Sequence, residues 1–164
     1  MRFTTPGARA LVTAAVVASI FITSAPPTPV AAAGSVEAAQ VISIAKAQRG
    51  DPWRYGATGP SAFDCSGLVI YAYKAAGDLR LIGNGNYRSA AALYKYFRDR
   101  GRTSRTNATP GDLVVWGYGK HIGIYLGGGM AISTLRSGVR IHSVNAVTLP
   151  FTAYLRTRIY QLTP

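Results

Sequence analysis

Along the chain, apolar residues first recur at helical steps of three and four, then gather into short unbroken runs. Val36, Ala39, Ile42 and Ala45 fall on one helical face between Ser35 and Arg49, with Glu37 in the first turn and Gly50 just past the end. A second helix is predicted from Asp64, a capping residue, to Ala76. Leu68, Val69, Ala72 and Tyr73 form its apolar face and Gly77 its stop. Ser89 caps a third helix that runs to Arg100 and closes at Gly101. The stretch 77–86 between the last two is rich in Gly and Asn and is expected to be a mobile loop. After Thr109 the pattern changes. Leu113–Trp116, His121–Leu126, Met130–Leu135 and Val139–Val144 read as short strands separated by glycine turns, and Tyr154–Leu162 as a last one. Helices followed by a meander of strands predict an α+β domain with an antiparallel sheet.

The first 33 residues stand apart from this pattern. Arg2 and Arg9 precede an uncharged apolar stretch, Ala10 to Ile22, and small residues follow at Val30-Ala31-Ala32-Ala33-Gly34. This is the layout of a secretory signal peptide cleaved near Ala33. The alternative, an uncleaved anchor, needs about 20 spanning residues, more than the run supplies. Residues 1–33 are therefore read as a leader and 34–164 as one domain, secreted or cell-wall associated, with no stable membrane insertion. Arg2 and Arg9 are two of the 18 basic residues; the remaining 16 against 6 acids leave the domain at +10. For an exported protein, such a charge favours anionic cell-wall polymers as partners. No nucleic-acid motif is present, and the one basic cluster, 98–102, reads as a solvated face. A monomer is expected.

Candidate chemistry centres on the only cysteine, Cys65, where the loop Gly59-Pro60-Ser61-Ala62-Phe63 meets the second helix. A helix N-terminus offers positive potential and unpaired N–H groups, which favour a thiolate and can also hold an oxyanion. A buried structural cysteine is the alternative; the junction and the missing disulfide partner favour a nucleophile. The nucleophile needs an imidazole within reach and a group to orient it. His121 opens a strand. If the Gly127-Gly128-Gly129 turn is centred on Gly127, Ser133 stands directly across from His121 on the same sheet face. His142 is read as a surface strand residue. Trp53 and Tyr55 either line a cleft beside Cys65 or fill the core. One cysteine and two histidines show no metal-ligand spacing, so no metal site is expected.

Four segments in this order resemble the NlpC-type cysteine peptidases, papain-like enzymes that cut bacterial cell-wall peptides. They are Pro52-Trp53-Arg54-Tyr55-Gly56, Phe63-Asp64-Cys65-Ser66-Gly67-Leu68-Val69, Pro110-Gly111-Asp112-Leu113-Val114 and His121-Ile122-Gly123-Ile124-Tyr125-Leu126-Gly127, and the likeness spans about residues 36–145. It implies a papain-like fold with a short sheet packed on the cysteine helix, Cys65 as nucleophile and His121 as base. It implies that Asp64 and Ser66 help hold the amino end of a peptidoglycan stem peptide, and that the bond between D-glutamate and a diamino acid is cut without metal or organic cofactor. The family places His, Asn or Gln twelve residues after the base, where this chain has Ser133. The shorter side chain implies slack geometry or a bridging water. The aromatic turn reads Tyr55-Gly56-Ala57 instead of Trp-Gly-Gly. Two other functions fit the same residues: a wall-binding module with a weakened triad, and an amidase, transacylase or antibacterial effector using the same chemistry on another bond.

Overall fold

Three α-helices and a six-stranded antiparallel sheet form the domain in a computed structural model, which describes Met1 and residues 30–161. The expected leader, 1–33, lies almost wholly outside the described residues. The helices are α1 (Val30–Ala47), α2 (Cys65–Ala75) and α3 (Ala90–Arg98). The strands are β1 (Thr103–Ser104), β2 (Leu113–Trp116), β3 (His121–Gly127), β4 (Met130–Leu135), β5 (Gly138–Ser143) and β6 (Phe151–Leu155), ordered β1-β6-β2-β3-β4-β5 in the sheet. The α+β class and the β2-to-β5 meander agree with the sequence reading.

The main core lies between the helices and one face of the sheet. Leu68, Val69, Ala72 and Tyr73 of α2 are buried there as their spacing predicts, against Leu113, Val115, Ile122 and Ile124. Burial of such side chains contributes roughly 1.5–3 kcal/mol each. Trp116, Val114 and Ala131 form a smaller cluster with Val144. This second cluster carries the histidines described below.

Three local expectations change. Helix α1 buries Ala38, Val41 and Ala45, while Val36 is exposed. At Ala38 the chain comes close: a Cβ on Gly111 would sit 3.1 Å from that of Ala38, so a small residue is needed there. Residues 77–86 are not an open loop. Leu79–Ile82 form a 3-10 turn that buries Ile82, and Tyr87 packs on Tyr96 at 4.5 Å between ring centres. The last strand ends at Leu155 and pairs beside β2, because Thr157 turns its N–H and hydroxyl to Asp112.

Asp112 ties the Pro-Gly-Asp turn to that chain end. Its buried carboxylate accepts from Thr109 N at 3.0 Å and Thr109 Oγ1 at 3.1 Å, and from Thr157 N at 2.9 Å and Thr157 Oγ1 at 3.3 Å. The buried Tyr73 hydroxyl donates to the neighbouring Gly111 carbonyl, which fastens α2 to the same turn. Asp112→Ala strands buried donors, each costing about 1–3 kcal/mol, so a loss of at least ~2 kcal/mol in urea unfolding is expected. An Ala variant as stable as the parent would remove this role from Asp112.

Candidate active site

The start of α2 is built around Asp64. Its extended backbone ends the loop, and its carboxylate caps the helix by accepting from Gly67 N at 2.7 Å. It also accepts from Gly56 N at 3.0 Å, from Ser66 Oγ at 3.1 Å, and from both guanidinium nitrogens of Arg88 at 3.1 and 2.7 Å. Burial alone would raise this carboxyl, but Arg88 and the Gly67 N–H outweigh it and hold it below its ordinary value. Gly67 is required sterically, since a Cβ there would lie 2.0 Å from the Ala57 carbonyl oxygen. The turn carrying Tyr55 and Gly56 is thereby pinned beside the helix start.

Cys65 is the first helical residue. Burial and then the Asp64 charge push the thiol above its ordinary value, outweighing the lowering effect of the backbone N–H groups of Ile122, Ser66 and Cys65 itself. The shift runs against the lowering expected of a helix end, because desolvation outweighs the backbone donors here.

His121 opens β3 at the end of the sheet next to this helix start. It pairs with Trp116 of β2, and the two rings pack tilted at 5.3 Å between centres. Its Nε2 lies 2.9 Å from Ser133 Oγ, so Ser133 meets His121 as expected and needs no bridging water. The predicted register is nevertheless wrong by two residues. Ile124 pairs with Ile132, so one step on Ser133 stands across from Gly123 rather than His121. The turn absorbs the difference as a bulge between Tyr125 and Gly127. A shift of two preserves the sheet face, which is why the contact survives. Gly123 makes room, since a Cβ there would meet that of Ser133 at 2.9 Å.

Behind Ser133 stands His142, which is not the surface residue the sequence suggests. Its Nε2 is 2.8 Å from Ser133 Oγ and its Nδ1 is 2.9 Å from the Ser143 carbonyl oxygen. Its ring also packs on Trp116, at 5.7 Å. Pairing with Ala131 puts His142 on the face shared by Ser133 and Trp116. Nothing local to the sequence marks this, because the contact is made diagonally across two strands. Desolvation, and secondarily the His142 charge, push His121 down to about 4.

Cys65 and His121 line one cleft of about 650 Å³, with Trp53, Tyr55, Asp64 and Ser66 at its walls. All seven residues singled out in the sequence, Ser133 included, thus lie in or directly behind this site. Tyr55 is exposed and Trp53 half-buried, so neither fills the core. Sequence reasoning missed the cations. Arg88 binds Asp64 and Ser66 together, its Nη1 reaching Ser66 Oγ at 2.7 Å. Arg136 lies 3.8 Å over the Trp53 ring, and Lys120 lines the cleft beside His121. Among the described residues, no group of three or more His, Cys, Asp or Glu side chains could hold a metal.

A cysteine at a helix start facing a strand histidine over a short antiparallel sheet defines the papain-like class of domain. The NlpC/P60 family profile matches residues 37–156, and the chain belongs to that family. It is similar to a probable endopeptidase p60 of Listeria grayi, 39% identical over 62% of this chain and 19% of the relative. It is similar also to the murein DD-endopeptidase MepH of Escherichia coli, 38% identical over 57% of this chain and 35% of that one. The chain thus spans about a fifth to a third of the length of these two relatives. Among solved structures it resembles the peptidoglycan hydrolase RipB of Mycobacterium tuberculosis, with TM-score 0.59 and 29% identity over 83% of this chain and 74% of that one. It also resembles RipD of the same organism, described as a non-catalytic NlpC/p60 domain protein adapted to peptidoglycan binding, with TM-score 0.59 and 27% identity over 73% and 95%.

The depressed His121 links the site to stability. Folded, the ring stays neutral until about pH 4, whereas in the unfolded chain it protonates near its ordinary 6.5. Within that window the unfolded state binds the extra proton, so stability falls as pH falls. Between pH 6.5 and 4 the parent should lose on the order of 2–3 kcal/mol more than His121→Gln in urea titrations. Equal losses would show that the ring is not held neutral.

Proposed function

We propose that the chain is an exported cysteine-type endopeptidase that hydrolyses stem peptides of bacterial peptidoglycan. The observation that carries this reading is the shared cleft of Cys65 and His121, with the imidazole braced by Ser133 from behind. As the Cys65 sulfur attacks the scissile carbonyl, its proton passes to His121. The carbonyl oxygen becomes an oxyanion stabilised by backbone N–H groups at the start of α2. Collapse breaks the C–N bond and His121 returns the proton to the leaving amine. Water, deprotonated by the same imidazole, then hydrolyses the thioester and restores the thiol.

The bond we propose is that between D-glutamate and the diamino acid; a cross-link between two D-centres is the competing choice, which the name of the Escherichia coli relative favours. Such stems and the polymers around them are anionic, which suits a cleft edged by Arg88, Lys120 and Arg136 and a domain at +10. Residues 1–33 are proposed as the export signal. The second reading, a binding module without turnover, has the RipD likeness in its favour and the intact Cys65 and His121 against it.

Digestion of purified peptidoglycan, followed by identification of the new termini, tests the function and the bond together. Cys65→Ala should fold and release no product, and turnover by this variant, with circular dichroism unchanged, would sink the mechanism. His121→Ala should fall by about 10² to 10⁴ in rate. Absence of products from the unaltered protein, with retention on the wall, would favour the binding module.

Charge makes a separate prediction. Screening lengths shrink from about 10 Å at 0.1 M salt to about 3 Å at 1 M. Retention on insoluble wall should therefore fall steeply over that range, more steeply than cleavage of a short soluble peptide. Retention that ignores salt would assign wall binding to a specific carbohydrate or peptide site instead.

A further inference from the structure

We infer that His142 is a positioning residue that sets the tautomer of His121 through the Ser133 hydroxyl. The inference follows from counting protons along three hydrogen bonds. The Ser143 carbonyl can only accept, so the His142 Nδ1 at 2.9 Å must carry a proton. In the neutral ring the other nitrogen, Nε2, is then an acceptor. Ser133 Oγ, 2.8 Å away, must donate its only proton to it. Having spent that proton, Ser133 can only accept from His121, so the His121 Nε2 at 2.9 Å is the protonated one. The lone pair of His121 is left on Nδ1, the nitrogen not engaged by Ser133 and thus available to the cleft that holds Cys65. A backbone carbonyl on the far strand thus decides which nitrogen of the base is basic.

The surroundings hold this order in place. Ser133 is fully buried, so water does not compete for its proton. Trp116 lies against both imidazoles, at 5.3 and 5.7 Å, and its own indole N–H donates to the Val144 carbonyl at 2.7 Å. Both rings therefore pack, tilted, on one anchored indole. Serine alone would leave the assignment undecided, because a lone hydroxyl can donate to or accept from an imidazole. His142 removes that freedom.

The first measurement is the tautomer itself, by imidazole ¹⁵N nuclear magnetic resonance of the whole protein at neutral pH and above. His121 should be protonated at Nε2 and bare at Nδ1, and the opposite pattern would overturn the inference. His142→Phe keeps the packing on Trp116 but offers no acceptor. In it the His121 signals should become a mixture of tautomers, and kcat should fall about three- to tenfold, the scale of one neutral hydrogen bond. His142→Gln, whose amide oxygen can accept from Ser133, should recover part of that loss and restore the Nε2–H signature. Unchanged tautomer and turnover in His142→Phe would show that the ring only packs. The kinetic arm rests on the proposed peptidase activity and the spectroscopic arm does not. An inactive protein with the expected tautomer pattern would therefore fail the functional reading alone.

Discussion

One carboxylate holds the candidate site together. Asp64 takes five hydrogen bonds, from the aromatic turn, from the first turn of its own helix and from Arg88 ahead of α3. Each partner is a piece of chain that would otherwise move independently of Cys65. The cap fixes where α2 begins, and the Gly56 bond fixes the turn that brings Tyr55 and Trp53 to the cleft. Arg88 adds the third side while neutralising the charge. A half-buried ion pair of this kind is weak evidence for net stability, but removing either member would leave an uncompensated charge. Its value here lies in geometry. The same engagement changes what Asp64 and Ser66 present to a peptide: both already face the Arg88 guanidinium, so an incoming amine would have to displace or share it.

Burial controls the electrostatics of Cys65 and His121. The helix end and three N–H groups favour a thiolate, yet the thiol is pushed up and the imidazole down. Both shifts have desolvation as their main cause, and both favour the uncharged partners. In the proposed reaction, uncharged partners would leave proton transfer to occur alongside attack. Orientation of the proposed base would then matter more than in a preformed ion pair, since the proton would have to move within one encounter. The chain Ser133–His142–Ser143 supplies that orientation.

What the sequence made legible was what neighbouring residues encode. The Asp-Cys-Ser-Gly run shows a cap and a cysteine at a helix start, and the structure places both as read; the close approach of Gly67 to Ala57 is added by the structure. His121 was legible from the strand it opens. Ser133 was found through a register that proved wrong by two residues, and it survived because side chains on a strand repeat every second position. An error of one would have sent it to the other face. Arg88 and His142 were not legible. Arg88 sits 24 residues from Asp64, and His142 joins the site only because β5 lies beside β4. The face of α1 was misjudged for a related reason: approach to Gly111 selects small side chains, and periodicity does not record how near the neighbour comes.

The substitution at position 133 shows how a sheet can redistribute a role. A long side chain there could brace the imidazole by itself; serine cannot, because its hydroxyl both gives and takes a proton. The missing length is made up from the adjacent strand. His142 pairs with Ala131, two positions from Ser133, so its ring leans diagonally over a methyl group to reach the hydroxyl. A side chain at 123 would clash with the strand carrying Ser133, its Cβ meeting that of Ser133 at 2.9 Å. The bracing of His121 is therefore a property of four positions on three strands: a glycine, an alanine, a serine and a second histidine. Exchanging Ser133 alone for a longer amide would crowd His142 rather than simply lengthen the brace. The departure at 133 and the presence of His142 have to be read as one change.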